Sequence, residues 1–417
     1  TEIYTLSLHD ALPILVLFHG GAWEPALGTV YRRWQPFFDP YNLAIYDREG
    51  VFHCGNVFSS DQIGPLKAMG LRTLEVHAHF EDYSDYFNAG KERWHPIWIK
   101  ERVYRGLQRE RGDRVTPAEV EAFVAGADEA TLVAKARLRD PNSLWLTRDE
   151  VRRRLGLLTD AGIACHWYFN YSDGFIPRVE RDWPDSICRD EDGAAIPSGW
   201  QMCHNMNPDP QWSFGRFCLA SAKQIIEAYP MLAGFFLDCF RHFEIDFAHD
   251  DGMTVVNHKP AYSINIAYDR IECRLKEEIL GPANMTTFAN KPVTIRSMRY
   301  CDGQLLEGDG DVAEQKYFWA SIACPMFYLW GDRDRSPEEF LMRCVLYGAQ
   351  PTVAWPLATY AGLYQKYLPL LAQFKRRVFC FEPDPLEVPR HSRGLLSTTP
   401  VGYVAGIIHH RRVEGGA

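Results

Sequence analysis

No apolar run in the 417 residues is long enough to cross a bilayer, which leaves no helical membrane span. The 11 cysteines are odd in number, scattered and never set as C-x-x-C, so neither a disulfide framework nor a zinc knuckle is indicated. Several, such as Cys165, Cys239 and Cys324, stand inside apolar runs where buried free thiols are expected, and this favours a reducing compartment. Basic residues are the minority, 45 Lys and Arg against 54 Asp and Glu, for a net charge of −9. With no basic stripe for a phosphate backbone, no nucleic-acid partner is expected. Internal repeats, low-complexity tracts and a G-x-S-x-G pentapeptide are also missing. The last absence removes the serine elbow that acyl transfer needs.

What is present is an ordinary globular balance, 46% hydrophobic and 24% charged, with 12 Trp among abundant aromatics. Such aromatics suit sugar-stacking surfaces and large cores alike. The chain opens TEIYTLSLHDALPILVLFHGGAW. Residues 1–14 permit a back-translation that resembles a common sequencing adapter, so they are read as non-native, and His9 and Asp10 leave any catalytic set. Native sequence is expected to begin near Leu15. LVLFHGGAW looks like a strand and oxyanion loop of α/β-hydrolases, but no elbow serine stands behind it. Residues 15–50 read as the end of a truncated upstream β-domain plus a linker helix.

From Val51 the pattern changes to short apolar strands alternating with amphipathic helices, about eight times over 51–385. The expected class is α/β, a (β/α)8 TIM barrel flanked by fragments of β-sandwich domains, the second starting within 386–417. Two helices announce their starts: Thr116, Pro117 and Glu119 form a capping box, as do Thr147 and Glu150. Residues 172–210 read as a long loop, and loops of that length are more often functional than accidental. HDDGMT, with Asp250 and Asp251, reads as a solvated turn.

A barrel of this kind carries its chemistry at the C-terminal ends of its strands. The polar residues that follow each apolar run are His77 and His79, His166 and Asn170, Asp238 with Arg241 and His242, Asn290, Glu307 with Asp309, Asp332 and Trp355. Trp167, Tyr168, Tyr171, Trp200 and Trp330 lie near the same ends or in the long loop. Asp238 and Glu307 stand out, each directly after an apolar run and before a small or polar turn. Paired carboxylates are what glycoside cleavage requires.

YPMLAGFFLDCFRHF, a helix, a Gly, an apolar fourth strand and a terminal Asp, resembles the nucleophile strand of retaining α-glycosidases of the α-galactosidase (melibiase) and α-N-acetylgalactosaminidase type. MGLRTLEVHAHFEDY, AGIACHWYFNY, SRGLLSTTP and FHGGAWEPALGTVYRRW resemble the same plan of a barrel between β-domains. That resemblance implies hydrolysis of a terminal α-linked sugar with Asp238 as nucleophile. The acid/base after the sixth strand falls in LLEGDGD, where Glu307 is preferred, with Asp309 and then Asp311 behind it. Sugar contacts are expected from His77, His79, His166, Trp167, Asn170, Trp200, Arg241, His242, Asn290, Trp330 and Asp332. The chain departs from the family at Phe236, where a Lys usually precedes the nucleophile by two residues. No redox cofactor, obligatory metal, nucleic acid or membrane is expected, and carbohydrate is the expected partner. Two other readings stand beside this one. A noncatalytic carbohydrate-binding barrel would keep the aromatics without the chemistry. A metal-dependent amidohydrolase would need His77 and His79 to converge with a third ligand such as His166 or Asp332.

Overall fold

The computed structural model describes residues 2–6, 14–18, 23–55, 60–88, 90–112, 115–238, 244–290, 299–307, 324–329, 336–354, 356–375, 377–379 and 410–412. Eight parallel strands follow one another around a single sheet: β1 (Val51–Gly55), β2 (Leu71–Val76), β3 (Ala164–Phe169), β4 (Gly234–Leu237), β5 (Thr286–Asn290), β6 (Gly303–Glu307), β7 (Met326–Leu329) and β8 (Gln350–Pro351). A parallel bridge between Phe52 and Thr352 closes the ring, and the Val353 N–H donates to the Phe52 carbonyl at 2.8 Å. The fold is the (β/α)8 barrel that the alternating pattern implies.

Aromatic rings fill the barrel. Phe52 lies 5.9 Å, centroid to centroid, from both Phe236 and Phe288 and 5.1 Å from Phe327, and Phe288 lies 4.7 Å from Phe327. Two glycines make this packing possible. A Cβ on Gly303 would come within 2.5 Å of the Phe288 ring, and one on Gly234 within 1.8 Å of the Thr286 carbonyl. Beneath the rings the barrel floor is polar. Arg48, ending the turn Leu43–Arg48, donates to the Ala233 carbonyl at 2.5 Å and to the Thr286 hydroxyl. A buried Lys276–Asp302 ion pair sits beside it, and Asp302 also accepts the Asn42 and Thr287 N–H groups at 2.5 and 2.7 Å. Those bonds tie the segment leading into β1 beneath the floor.

The loops at the opposite end carry the insertions. Between β2 and β3 stand α1 (Ile97–Arg111), α2 (Pro117–Gly126) and α3 (Glu129–Lys135), packed on a small core of their own that includes Val103, Leu107, Val120 and Leu132. The capping box of α2 is complete, with Thr116 and Glu119 each bonded to the other's backbone N–H. That of α4 (Arg148–Asp160) is only half made: Thr147 accepts the Glu150 N–H at 3.1 Å, but the Glu150 carboxylate turns to Arg153 and Arg154 instead. Residues 172–210 are not the irregular loop the sequence suggested. Asp173–Phe175 and Cys203–Asn205 pair antiparallel around the helix Ile176–Asp182. Asp251 likewise does more than face solvent, since it accepts the Met253, Thr254 and Ser263 N–H groups at 2.8, 2.6 and 2.8 Å and braces the hairpin of Thr254–Val256 and Lys259–Ser263.

At the two ends of the chain, Glu2–Leu6 pairs antiparallel with Ile14–Phe18, and Arg377–Phe379 with His410–Arg412. Among the described residues no helix is long and apolar enough to cross a membrane.

Candidate active site

Asp238 follows the last residue of β4 directly, and its N–H still donates to the Phe169 carbonyl of β3 at 3.0 Å. Its carboxylate is held from both sides. Tyr168, next to last in β3, donates its hydroxyl to Oδ2 at 2.8 Å, and Asn290, last in β5, donates Nδ2 to Oδ1 at 2.8 Å. The holders come from the strands flanking β4, so the parallel register that builds the barrel also aims the carboxylate. At 8% exposure Asp238 is nearly dry yet still reachable.

His77, just past β2, sets its ring edge against Tyr168 at 4.7 Å and bonds the buried Glu75 through Nδ1 at 2.5 Å. Burial alone would lower the imidazole pKa, but Glu75, with a further contribution from Asp238, outweighs it and raises the value above the ordinary one. A protonated His77 is thereby favoured beside the Asp238 carboxylate. Glu75 has no place in the sequence reading. The E-x-H spacing, which puts both side chains on one face of a strand, is the signal that could have found it.

The H-x-H pair does not converge. Ala78 has φ +56°, a left-handed break in the extended chain, so His79 departs from the face of His77. His79 instead bonds the His77 carbonyl through Nδ1 at 2.8 Å, and burial with Arg154 nearby pushes its pKa down to about 3. His166 lies deep on the floor, Nε2 bonded to the Thr286 hydroxyl at 2.8 Å, and burial followed by Arg48 holds it well below its usual value. Among the described residues no three His, Cys, Asp or Glu side chains are placed to hold a metal ion.

Two further expectations need correcting. Trp167 cannot meet a ligand at the mouth, because its ring stacks on Tyr229 at 5.0 Å on the helix side of the sheet and its Nε1 donates to the Tyr86 carbonyl. Asn170 is consumed by structure: Oδ1 accepts the Ser172 and Asp173 N–H groups at 2.8 and 3.1 Å, and Nδ2 donates to Asp173 at 2.7 Å. Trp200, in contrast, keeps 37% exposure while stacking on Tyr83 at 5.5 Å. Tyr83 in turn donates its hydroxyl to Glu101 of α1 at 2.6 Å.

Glu307 ends β6 opposite Leu329, two residues beyond Leu305, the partner of Asn290. Its backbone is therefore two strands from Asp238, about 10 Å across the sheet and about 7 Å further along it. Arg241, His242, Asp309, Asp311, Trp330, Asp332 and Trp355 lie outside the described residues.

No family model matches the chain, and no curated protein matches it in sequence. Solved structures match it in fold. The ligand-free α-N-acetylgalactosaminidase NagBb from Bifidobacterium bifidum superposes with a TM-score of 0.51 at 11% identity, over 85% of this chain and 58% of that one. Its GalNAc complex gives 0.50 at 11%, over 87% and 58%, and an α-galactosidase from Lactobacillus brevis 0.49 at 11%, over 87% and 46%. The likeness is one of fold. This chain spans less than three fifths of the length of the NagBb chain.

Proposed function

We propose that the chain is a glycoside hydrolase acting on a terminal α-linked sugar by a two-carboxylate, retaining mechanism. The observation that carries this reading is the two-sided grip on Asp238 at the mouth of the barrel. A carboxylate fixed through both oxygens in a nearly dry site is pre-aligned for attack, which offsets the entropy of positioning. One Asp238 oxygen attacks the anomeric carbon while Glu307, with Asp309 behind it, gives a proton to the departing glycosidic oxygen. Water, deprotonated by the same acid/base, then attacks the anomeric carbon of the glycosyl-enzyme and releases Asp238. Trp200 offers its exposed face to the apolar side of a pyranose, and His77 offers a ring N–H to a sugar hydroxyl. The fold shared with an α-N-acetylgalactosaminidase makes α-linked galactosides and N-acetylgalactosaminides the first substrates to assay.

Asp238→Asn keeps the size of the side chain and removes the nucleophile. Hydrolysis of aryl α-galactosides and aryl α-N-acetylgalactosaminides is expected to fall by roughly 10³-fold or more, and Glu307→Gln should slow glycosides with poor leaving groups most. Undiminished turnover in Asp238→Asn would sink the mechanism. Carbohydrate binding without turnover in the wild type would favour a noncatalytic barrel.

A further inference from the structure

The net charge of the chain is −9, yet one cleft in it is strongly cationic. It encloses about 1360 Å³ and runs from His77 outward between α1 and the segment that links α3 to α4. Trp98, Arg102, Arg105 and Arg109 line one wall at spacings of four, three and four residues, a single stripe along α1. Arg137 and Arg139 face them from the other wall, which also carries Trp145. Arg137 holds φ +52°, a backbone conformation that costs a non-glycine residue about 1 kcal/mol.

Of the two carboxylates in the cleft, Glu150 is bonded to Arg153 and Arg154 at 2.7 Å each. Asp140 accepts the Asn142 N–H at 3.0 Å as the cap of a short helix and sets a single negative charge against the arginines. Among the described residues, Arg102, Arg105, Arg109, Arg137 and Arg139 form no ion pair. Five guanidinium groups around one concavity repel one another, and an anion relieves that repulsion. Arginine is also the side chain best matched to the planar oxygens of carboxylates and to sulfate-type anions. Trp98 lies toward the His77 end, beside Ala78 and His79, where an aromatic face suits a sugar ring, whereas the Trp145 ring is already covered by His95 and Arg93, each at 3.7 Å. From 98 to 109 the stripe extends about 16 Å, longer than one monosaccharide.

We infer that this cleft binds the leaving-group side of the substrate, and that this side is an anionic oligosaccharide bearing carboxylate or sulfate groups. The inference rests on the glycosidase reading for its direction, with the terminal sugar at Asp238 and the chain departing past His77. Its test is a binding measurement and does not depend on turnover.

Asp238→Asn protein is titrated calorimetrically with three size-matched tetrasaccharides: neutral chitotetraose, hyaluronan with carboxylates only, and chondroitin sulfate with carboxylates and sulfates. The anionic tetrasaccharides are expected to bind at least about tenfold more tightly than the neutral one at low salt. That preference should shrink as salt rises, because exposed charges are screened. Equal binding of hyaluronan and chondroitin sulfate assigns the cleft to carboxylates, and preference for the latter to sulfates. Adding R102E/R105E/R109E, three exposed helix positions, brings the anionic tetrasaccharides down to the neutral affinity. R102Q/R105Q/R109Q, which only removes charge, should do so in part. Equal affinity for all three tetrasaccharides, a preference that survives the triple variants, or equal competition by single-stranded DNA of matched charge overturns the inference.

Discussion

At the scale of single residues, the site turns on which face of a strand each side chain takes. Asp238 is legible because an ionisable residue directly after an apolar run marks a strand end. Trp167 is not, because barrel strands are buried on both faces and their hydrophobicity does not alternate. Tyr168 points to Asp238 while Trp167 packs against Tyr229, and nothing in ACHWYF separates the two. His79 misleads for a different reason, since the same-face rule fails once Ala78 leaves the extended region. The consequence for pH lies with His77. Its folded pKa is raised above the ordinary value, so the native state holds a proton that the unfolded chain releases near pH 6.5. The resulting stabilisation is fully present below that pH and is lost as pH rises through the folded value. Glu75→Gln removes the main raising partner, so the His77 titration followed by NMR should move downward. The stability gap between wild type and variant should be widest below about pH 6.5 and narrow above it. A His77 titration unmoved by Glu75→Gln would dismiss the pair.

At the scale of elements, strong local signals survive and weak ones do not. The capping box of α2 is readable from Thr116 and Glu119 because every partner lies within one helical turn. The hairpin within 172–210 is invisible because its strands have three residues each, too few to express a period of two. The half-made box of α4 is decided by competition: Arg153 and Arg154 offer Glu150 charge-assisted bonds that the Thr147 N–H cannot match. Thr116→Ala should therefore cost about 1 kcal/mol, as loss of an N-cap does. Because α2 packs within the small core of the insertion and not on the barrel strands, faster hydrogen exchange should concentrate in residues 117–135 and leave β3 to β5 unchanged. Uniform acceleration across the barrel would mean that the insertion does not open as its own unit.

At the scale of the whole molecule, the closed ring and the site depend on one aromatic cluster. Phe288 touches rings from both sides of the closure, Phe52 of β1 and Phe327 of β7, and meets the edge of His166 at 4.6 Å on the polar floor. It lies two residues before Asn290 on β5, so a shift of that strand at Phe288 is felt at the Asp238 carboxylate. Removing the ring leaves a cavity that Gly303, having no side chain, cannot fill. Phe288→Ala is expected to cost about 3–5 kcal/mol, a large share of the roughly 5–15 kcal/mol by which folded proteins are stable. Phe288→Leu keeps part of the volume and should cost less. Denaturant titration of both variants measures the loss, and activity on the aryl glycosides reads its effect on Asn290. Because the cluster supports the grip on Asp238 as well as the closure, Phe288→Ala should lower turnover even at temperatures where the variant remains folded. A variant destabilised by under about 1 kcal/mol would show that closure rests on the bridge at Phe52 and Thr352 and the surrounding helices instead. A destabilised variant with wild-type turnover would separate the ring that closes the barrel from the strand that holds its carboxylate.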